Sequence, residues 1–141
     1  MPLLEQVLEK NPDNVKVVFK NFPLRNHKFA MKAAIAALAA ASDGKFWEFH
    51  DELYKNYNQL SDEKIREIAL GLGFDQAEFE KKMNDPKIAA QIRQDLNDGA
   101  QAGVRGTPTI FINGRLLKNR TLQGFQAVID KELQKLGKKS G

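Results

Sequence analysis

At 141 residues, with 42% hydrophobic and 28% charged side chains, the chain is long enough for one hydrophobic core and has the composition of a globular domain. A formal net charge of +4 is too mild to point to nucleic acid, and much of the lysine content gathers at the C-terminus in Lys135, Lys138 and Lys139. With no cysteine, the sequence excludes a structural disulfide, a thiolate nucleophile and a cysteine-ligated metal; its longest apolar run, Ala33 to Ala41, is far too short for a membrane span.

Leu3, Leu4, Val7 and Leu8 recur at helical spacing behind Pro2, which is tolerated in a first turn. This opening is a charged amphipathic stretch rather than a secretory leader. The helix ends near Asn11-Pro12, and Asp13-Asn14 turns the chain into Val15 to Lys20, whose β-branched content reads as a strand. Asn-Phe-Pro at 21–23 stops it. Asn26 is positioned to cap a long helix to about Ala41, with Phe29, Ala33, Ile35, Ala37 and Leu38 for close packing. Ser42-Asp43-Gly44 breaks that helix, and an aromatic one follows from Phe46 to Tyr54. Phe46, Phe49 and Leu53 share its inner face; Trp47 and Tyr57 are the better surface candidates.

Ser61 or Asp62 caps the next helix, whose apolar face is Ile65, Ile68, Ala69 and Leu72. Asp75 starts a short helix through Met83, with Glu78 at the capping-box offset. Asp85-Pro86 is a strong start signal, and Ile88, Ile92, Leu96 and Ala100 follow on one stripe. Gly99 and Gly103 loosen its end. Thr109 to Ile112 reads as a strand, Asn113-Gly114 as a tight hairpin turn, and Arg115 to Lys118 as the return strand. Thr121 caps a last helix that buries Leu122, Phe125, Ile129, Leu133 and Leu136. No repeat, low-complexity segment or linker divides the chain into two domains.

His27 and His50 are the only histidines. They are too far apart for a metal-ligand motif and lack a neighbouring nucleophile, so both read as ordinary structural residues. Thr107-Pro108 is more informative. A proline opening a strand has no N–H to donate, and taken alone it is compatible with an ordinary trans bond or with a cis bond that exposes the Thr107 backbone to a ligand strand. Gly106 permits close approach of another backbone, or merely turns the chain. Arg105 suits an acidic or carboxylate group, or is simply solvated.

The element order, together with Lys20-Asn21-Phe22-Pro23-Leu24, His27, the alanine-rich helix, Gly44-Lys45-Phe46-Trp47 and Gly103-Val104-Arg105-Gly106-Thr107-Pro108-Thr109, resembles the DsbA-like branch of the thioredoxin superfamily from about Pro2 to Leu136. The resemblance implies an α/β, thioredoxin-like fold lacking its first strand, with an all-helical insertion between the remaining first strand and the C-terminal β-hairpin. Residues 1–25 and 103–136 would form the thioredoxin-like part and 26–102 the insert. Members carry a Cys-x-x-Cys pair upstream of the position of Pro2 and exchange disulfides, usually in the bacterial periplasm. On this reading the chain is a member truncated just after that pair.

The resemblance also implies that the Thr107-Pro108 bond is cis and that Arg105, Gly106, Thr107, Pro108 and Trp47 contact an extended polypeptide; composition and spacing point to no cofactor, metal, nucleic acid or membrane insertion. Disulfide exchange needs a thiolate, so no catalytic residue is assigned. Three roles follow: an oxidoreductase fragment inactive as written, a redox-dead peptide-binding domain, or a purely structural helical module. The absent strand predicts self-association through exposed strand edges.

Overall fold

The structure, a computed structural model, describes residues 2–24 and 27–137. Its elements run α1 (Pro2–Lys10), α2 (Ala30–Ala41), α3 (Phe46–Lys55), a 3-10 turn (Tyr57–Gln59), α4 (Asp62–Gly71), α5 (Gln76–Met83), α6 (Pro86–Gln101), β1 (Phe111–Ile112), β2 (Arg115–Leu116) and α7 (Leu122–Lys135). They divide into two compact units. One is discontinuous, Met1–Phe19 with Gly106–Gly141; the other is the continuous Lys20–Arg105.

The continuous unit is all-helical and built around α2. Alanines at 36, 37, 39 and 40 are buried there, and their small side chains let α3, α5 and α6 pack closely against one helix. Phe49, fully buried, stacks on Phe79 with ring centroids 5.3 Å apart, and Phe74 meets Phe79 edge-on at 4.9 Å. Three helix starts are capped as their sequences predict: Ser61 Oγ accepts from the Lys64 amide at 3.1 Å, Asp75 from Glu78 at 3.1 Å and Asp85 from Lys87 at 2.9 Å. The expected cap of α2, Asn26, lies outside the described residues. That helix starts later than expected, behind a turn in which His27 N–H donates to the Leu24 carbonyl and Ala30 N–H to that of His27.

Helix α6 departs from its expected stripe. Ile92 is fully buried and Ile88 and Leu96 half-buried, but Ala100 is exposed. The buried place is taken instead by Asp95, 4% exposed, whose Oδ2 accepts from both the backbone and the side-chain amide of Asn21 at 2.9 Å. Its Oδ1 accepts from Gln91 Nε2 at 2.9 Å. One carboxylate thus fastens the Asn21 corner to α6. Gly99 does not loosen the helix: a Cβ there would lie 2.8 Å from the Phe22 ring, so the glycine makes room for that ring one turn beyond Asp95.

Beside this corner, Lys20 Nζ donates to Asp98 Oδ2 at 2.6 Å. That hydrogen bond, supported by one from Gln94, holds the Asp98 carboxyl below its usual range and raises Lys20. Because the folded pKa of Asp98 is depressed, the pair favours the fold above the ordinary carboxylate range and ceases to do so as pH falls through the folded value. An NMR titration should place the Asp98 midpoint below an ordinary aspartate and return it toward the ordinary value in Lys20→Met. An unchanged midpoint would remove Lys20 as the principal cause.

In the discontinuous unit, α1, α7 and the hairpin enclose Val7, Leu117, Phe125, Ile129 and Leu133, with Leu3, Leu4, Val15, Ile110 and Ile112 around them. Leu8 and Leu136, which the periodicity places inward, are 38% and 65% exposed; the buried place on α1 goes to Val7, and Leu136 lies past the last residue of α7. Asn11, fully buried at the end of α1, exchanges two hydrogen bonds with Gln126 on α7, at 2.8 and 3.0 Å, and also donates to the Val7 carbonyl. Asn113 (φ 48°) and Gly114 (φ 79°) make the tight turn, both left-handed as such a hairpin requires.

The ladder pairs Phe111 with Leu116 and Ile112 with Arg115, and Leu117 N–H donates to the Ile110 carbonyl at 2.8 Å. Val15 to Lys20 joins no ladder among the described residues, contrary to the expected strand. Its pattern is nonetheless that of one, with Val15 and Val17 half-buried and Lys16 and Val18 exposed. β-branched composition signals a pleated, half-buried surface but does not specify a neighbour to pair with.

Candidate functional site

The segment entering β1 is organised around one residue. The Thr107-Pro108 peptide bond is cis. The carbonyl before Thr107, that of Gly106, accepts from Thr109 Oγ1 at 2.6 Å. The carbonyl after it, that of Pro108, accepts from Arg120 Nη1 at 2.7 Å, and proline has no N–H to satisfy. Thr107 itself is exposed, and among the described residues neither its N–H nor its carbonyl has an intramolecular partner. The backbone therefore offers one free donor and one free acceptor between two satisfied neighbours, the set an incoming extended strand uses. A Cβ at Gly106 would meet nothing within 4 Å, so no packing inside the protein requires glycine there.

Arg120 lies between two residues that fix the start of α7. Asn119 Oδ1 accepts from the Thr121 N–H at 3.2 Å and from its hydroxyl at 2.8 Å, while Thr121 Oγ1 accepts from the Gly124 N–H at 3.0 Å. Sequence reasoning found the Thr121 cap but missed Asn119 and Arg120. An Asn just ahead of a capping Thr is a visible signal; an arginine's choice of a distant carbonyl is not.

Gly106, Thr107 and Pro108 are thus brought together in the discontinuous unit. Arg105 and Trp47 belong to the helical unit, where both are exposed. Trp47, 43% exposed, stands edge-on to Phe46 at 5.1 Å and to His50 at 5.6 Å. His50 Nδ1 lies 3.3 Å from Asp51 Oδ1, and His27 is exposed. Among the described residues no group of His, Cys, Asp or Glu could hold a metal ion, and no helix is long and apolar enough to cross a membrane.

Comparison with known proteins bears on the fold and the family. A thioredoxin family model matches residues 2–131. The chain superposes on the thiol-disulfide exchange protein α-DsbA2 of Wolbachia pipientis with a TM-score of 0.81 at 26% identity, covering 93% of this chain and 72% of that one. A thioredoxin-like oxidoreductase of Silicibacter pomeroyi gives a TM-score of 0.81 at 25% identity, with 95% and 77% covered. In sequence, the chain is 38% identical over 103 residues to the Na(+)/H(+) antiporter NhaA 3 of Salinispora tropica, covering 72% of this chain but only 16% of that protein. It is 28% identical over 141 residues to probable disulfide bond formation protein D of Bacillus anthracis, spanning 94% of this chain and 64% of that protein.

The mostly helical body with its small two-stranded sheet is a thioredoxin-like fold carrying a helical insertion. With no cysteine, the chain has no thiolate to attack a disulfide, and its own residues carry no thiol-disulfide exchange. By fold and family model alike, the chain belongs to the thioredoxin/DsbA-like superfamily of thiol-disulfide oxidoreductases.

Proposed function

We propose that this chain is the polypeptide-docking portion of a DsbA-like disulfide oxidoreductase, acting outside the cytoplasm on cysteine-containing substrates and redox-inert by itself. The observation that carries this reading is the open N–H and carbonyl of Thr107, flanked by carbonyls already satisfied by Thr109 and Arg120. An extended substrate adds to this backbone as a strand would, held by main-chain hydrogen bonds, with Gly106 leaving clearance. Arg105 is proposed to meet acidic groups on the substrate. Trp47, exposed on the helical unit, is proposed to meet apolar side chains.

Labelled extended peptides should bind the chain saturably. Thr107→Pro, which removes the open donor, should weaken binding about ten-fold; affinity unchanged by this substitution would overturn docking at this residue. Placing a strand and a Cys-Pro-x-Cys segment ahead of Met1 separates two versions of the reading. Gain of disulfide-forming activity supports the oxidoreductase, whereas peptide binding without any gain favours a redox-dead binding domain, the second reading that the absence of cysteine keeps in play.

A further inference from the structure

From Gly99 to Ile129 the sequence contains four cations, Arg105, Arg115, Lys118 and Arg120, and not one carboxylate. This stretch includes the whole proposed docking segment. Only Arg115 is neutralised locally, by Glu132 at 3.3 Å. Arg105, Lys118 and Arg120 are exposed, and among the described residues no carboxylate lies within ion-pair distance of them.

Arg120 differs from an ordinary solvated arginine. One of its N–H groups is spent on the Pro108 carbonyl at 2.7 Å, which fixes a full positive charge next to the open backbone of Thr107. A guanidinium has five donors in a planar fork, so the remaining ones stay available to a carboxylate. Lys118 adds a second exposed cation just beyond β2, two residues before Arg120. The docking segment, a ledge of exposed backbone flanked by these cations, therefore attracts a negatively charged chain and repels a positive one.

We propose that the docking segment selects extended polypeptides with acidic residues beside the docked stretch, and that Arg120 is the residue that sets this preference. The proposal rests on the docking reading above, in which Arg105 already meets acidic groups, and adds the residue that makes acidic flanks a selected feature of the substrate. Arg120 is a positioning and specificity residue, acting on the ledge through the Pro108 carbonyl and on the ligand through its charge.

The test uses three labelled extended peptides, identical except for flanking Glu, Gln or Lys, titrated into the 141-residue chain. The Glu peptide should bind about three- to five-fold tighter than the Gln peptide, and the Lys peptide weaker than both. About 1 M salt should erase the differences by screening. Arg120→Gln should remove most of the preference, and Lys131→Gln, an exposed charge in the second half of α7, should leave it intact. Arg120→Lys serves where Arg120→Gln fails to fold; it should retain the order of the peptides.

Equal affinity for all three peptides, with binding still lost in Thr107→Pro, overturns the acidic preference and leaves docking standing. A preference that survives Arg120→Gln overturns the role of Arg120. Binding of no peptide, or binding indifferent to Thr107→Pro, removes the docking reading and the preference with it.

Discussion

Gly124→Ala is expected to destabilise the protein by about 2–3 kcal/mol, lowering its melting temperature by roughly 6–12 °C, although alanine is the better helix former by about 1 kcal/mol. The reason is steric. A Cβ at position 124 would run into the carbonyl oxygen of Asn119 and approach the Cγ and Cβ of that residue to 2.6 and 2.8 Å. The obstacle includes backbone, which cannot swing aside as a flexible side-chain tip does. Relief requires displacing Asn119, whose side chain accepts two hydrogen bonds from Thr121 and so helps to fix the start of α7. Gly71→Ala, at the end of α4 where a Cβ meets nothing within 4 Å, is the control and should be neutral or mildly stabilising. Thermal unfolding of both variants decides the point: a Gly124→Ala protein as stable as the parent would mean that Asn119 does not crowd α7.

Asp95→Ala should cost about 3–4 kcal/mol, as expected when the buried acceptor of several donors is lost. Three donors converge on this carboxylate: the Asn21 N–H, the Asn21 side-chain amide and Gln91 Nε2, each at 2.9 Å. Truncation leaves the Asn21 donors, on a residue only 5% exposed, without an acceptor. Asp95→Asn should cost less, about 1–2 kcal/mol, because one amide oxygen still serves Asn21 while Gln91 turns its own amide to match. Lys20→Met should leave stability nearly unchanged, since Lys20 Nζ is exposed, pairs with the surface carboxylate Asp98 and lies 4.0 Å from Asp95. Urea denaturation measures the series, and hydrogen exchange at the Asn21 amide should speed up selectively in Asp95→Ala. A loss below about 1 kcal/mol in that variant would deny the carboxylate its organising place.

What was legible in the sequence is what local chemistry decides. Ser61, Asp75, Asp85 and Thr121 announce helix starts because a short oxygen-bearing side chain reaches an amide two or three residues on, whatever surrounds it. Asn113-Gly114 fixes its turn because both positions need left-handed backbone. The inner faces of α3 and α4, and that of α7 short of Leu136, follow from spacing alone. Features decided by distant partners were not legible. Val15 to Lys20 has the composition of a strand and no ladder, because pairing is a property of two segments. Asp95 hides on an apolar stripe, three residues after Ile92, because only the fold brings Asn21 to it. Arg120 reads as one more surface cation until its bond to the Pro108 carbonyl is seen. Thr107 and Pro108 lay in between: the residues alone left an ordinary strand start open, the resemblance implied a docking segment, and the satisfied carbonyls on either side emerged only from the structure.

Asn11 and Gln126 exchange two hydrogen bonds across 115 positions of sequence, and this has a consequence for the order of assembly. Synthesis proceeds from the amino end, so α1 leaves the ribosome with Val7 uncovered while Lys20 to Arg105 is still being made. That intervening unit is continuous and needs nothing from either flank for its own core. Once folded, it ties Lys20 to Asp98, close in sequence to its exit at Arg105. With Lys20 held beside Asp98, the span left to close between α1 and α7 is effectively shorter, and the entropy of closing the discontinuous unit falls accordingly. The helical insertion thus lowers the entropic cost of bringing the first and last helices together.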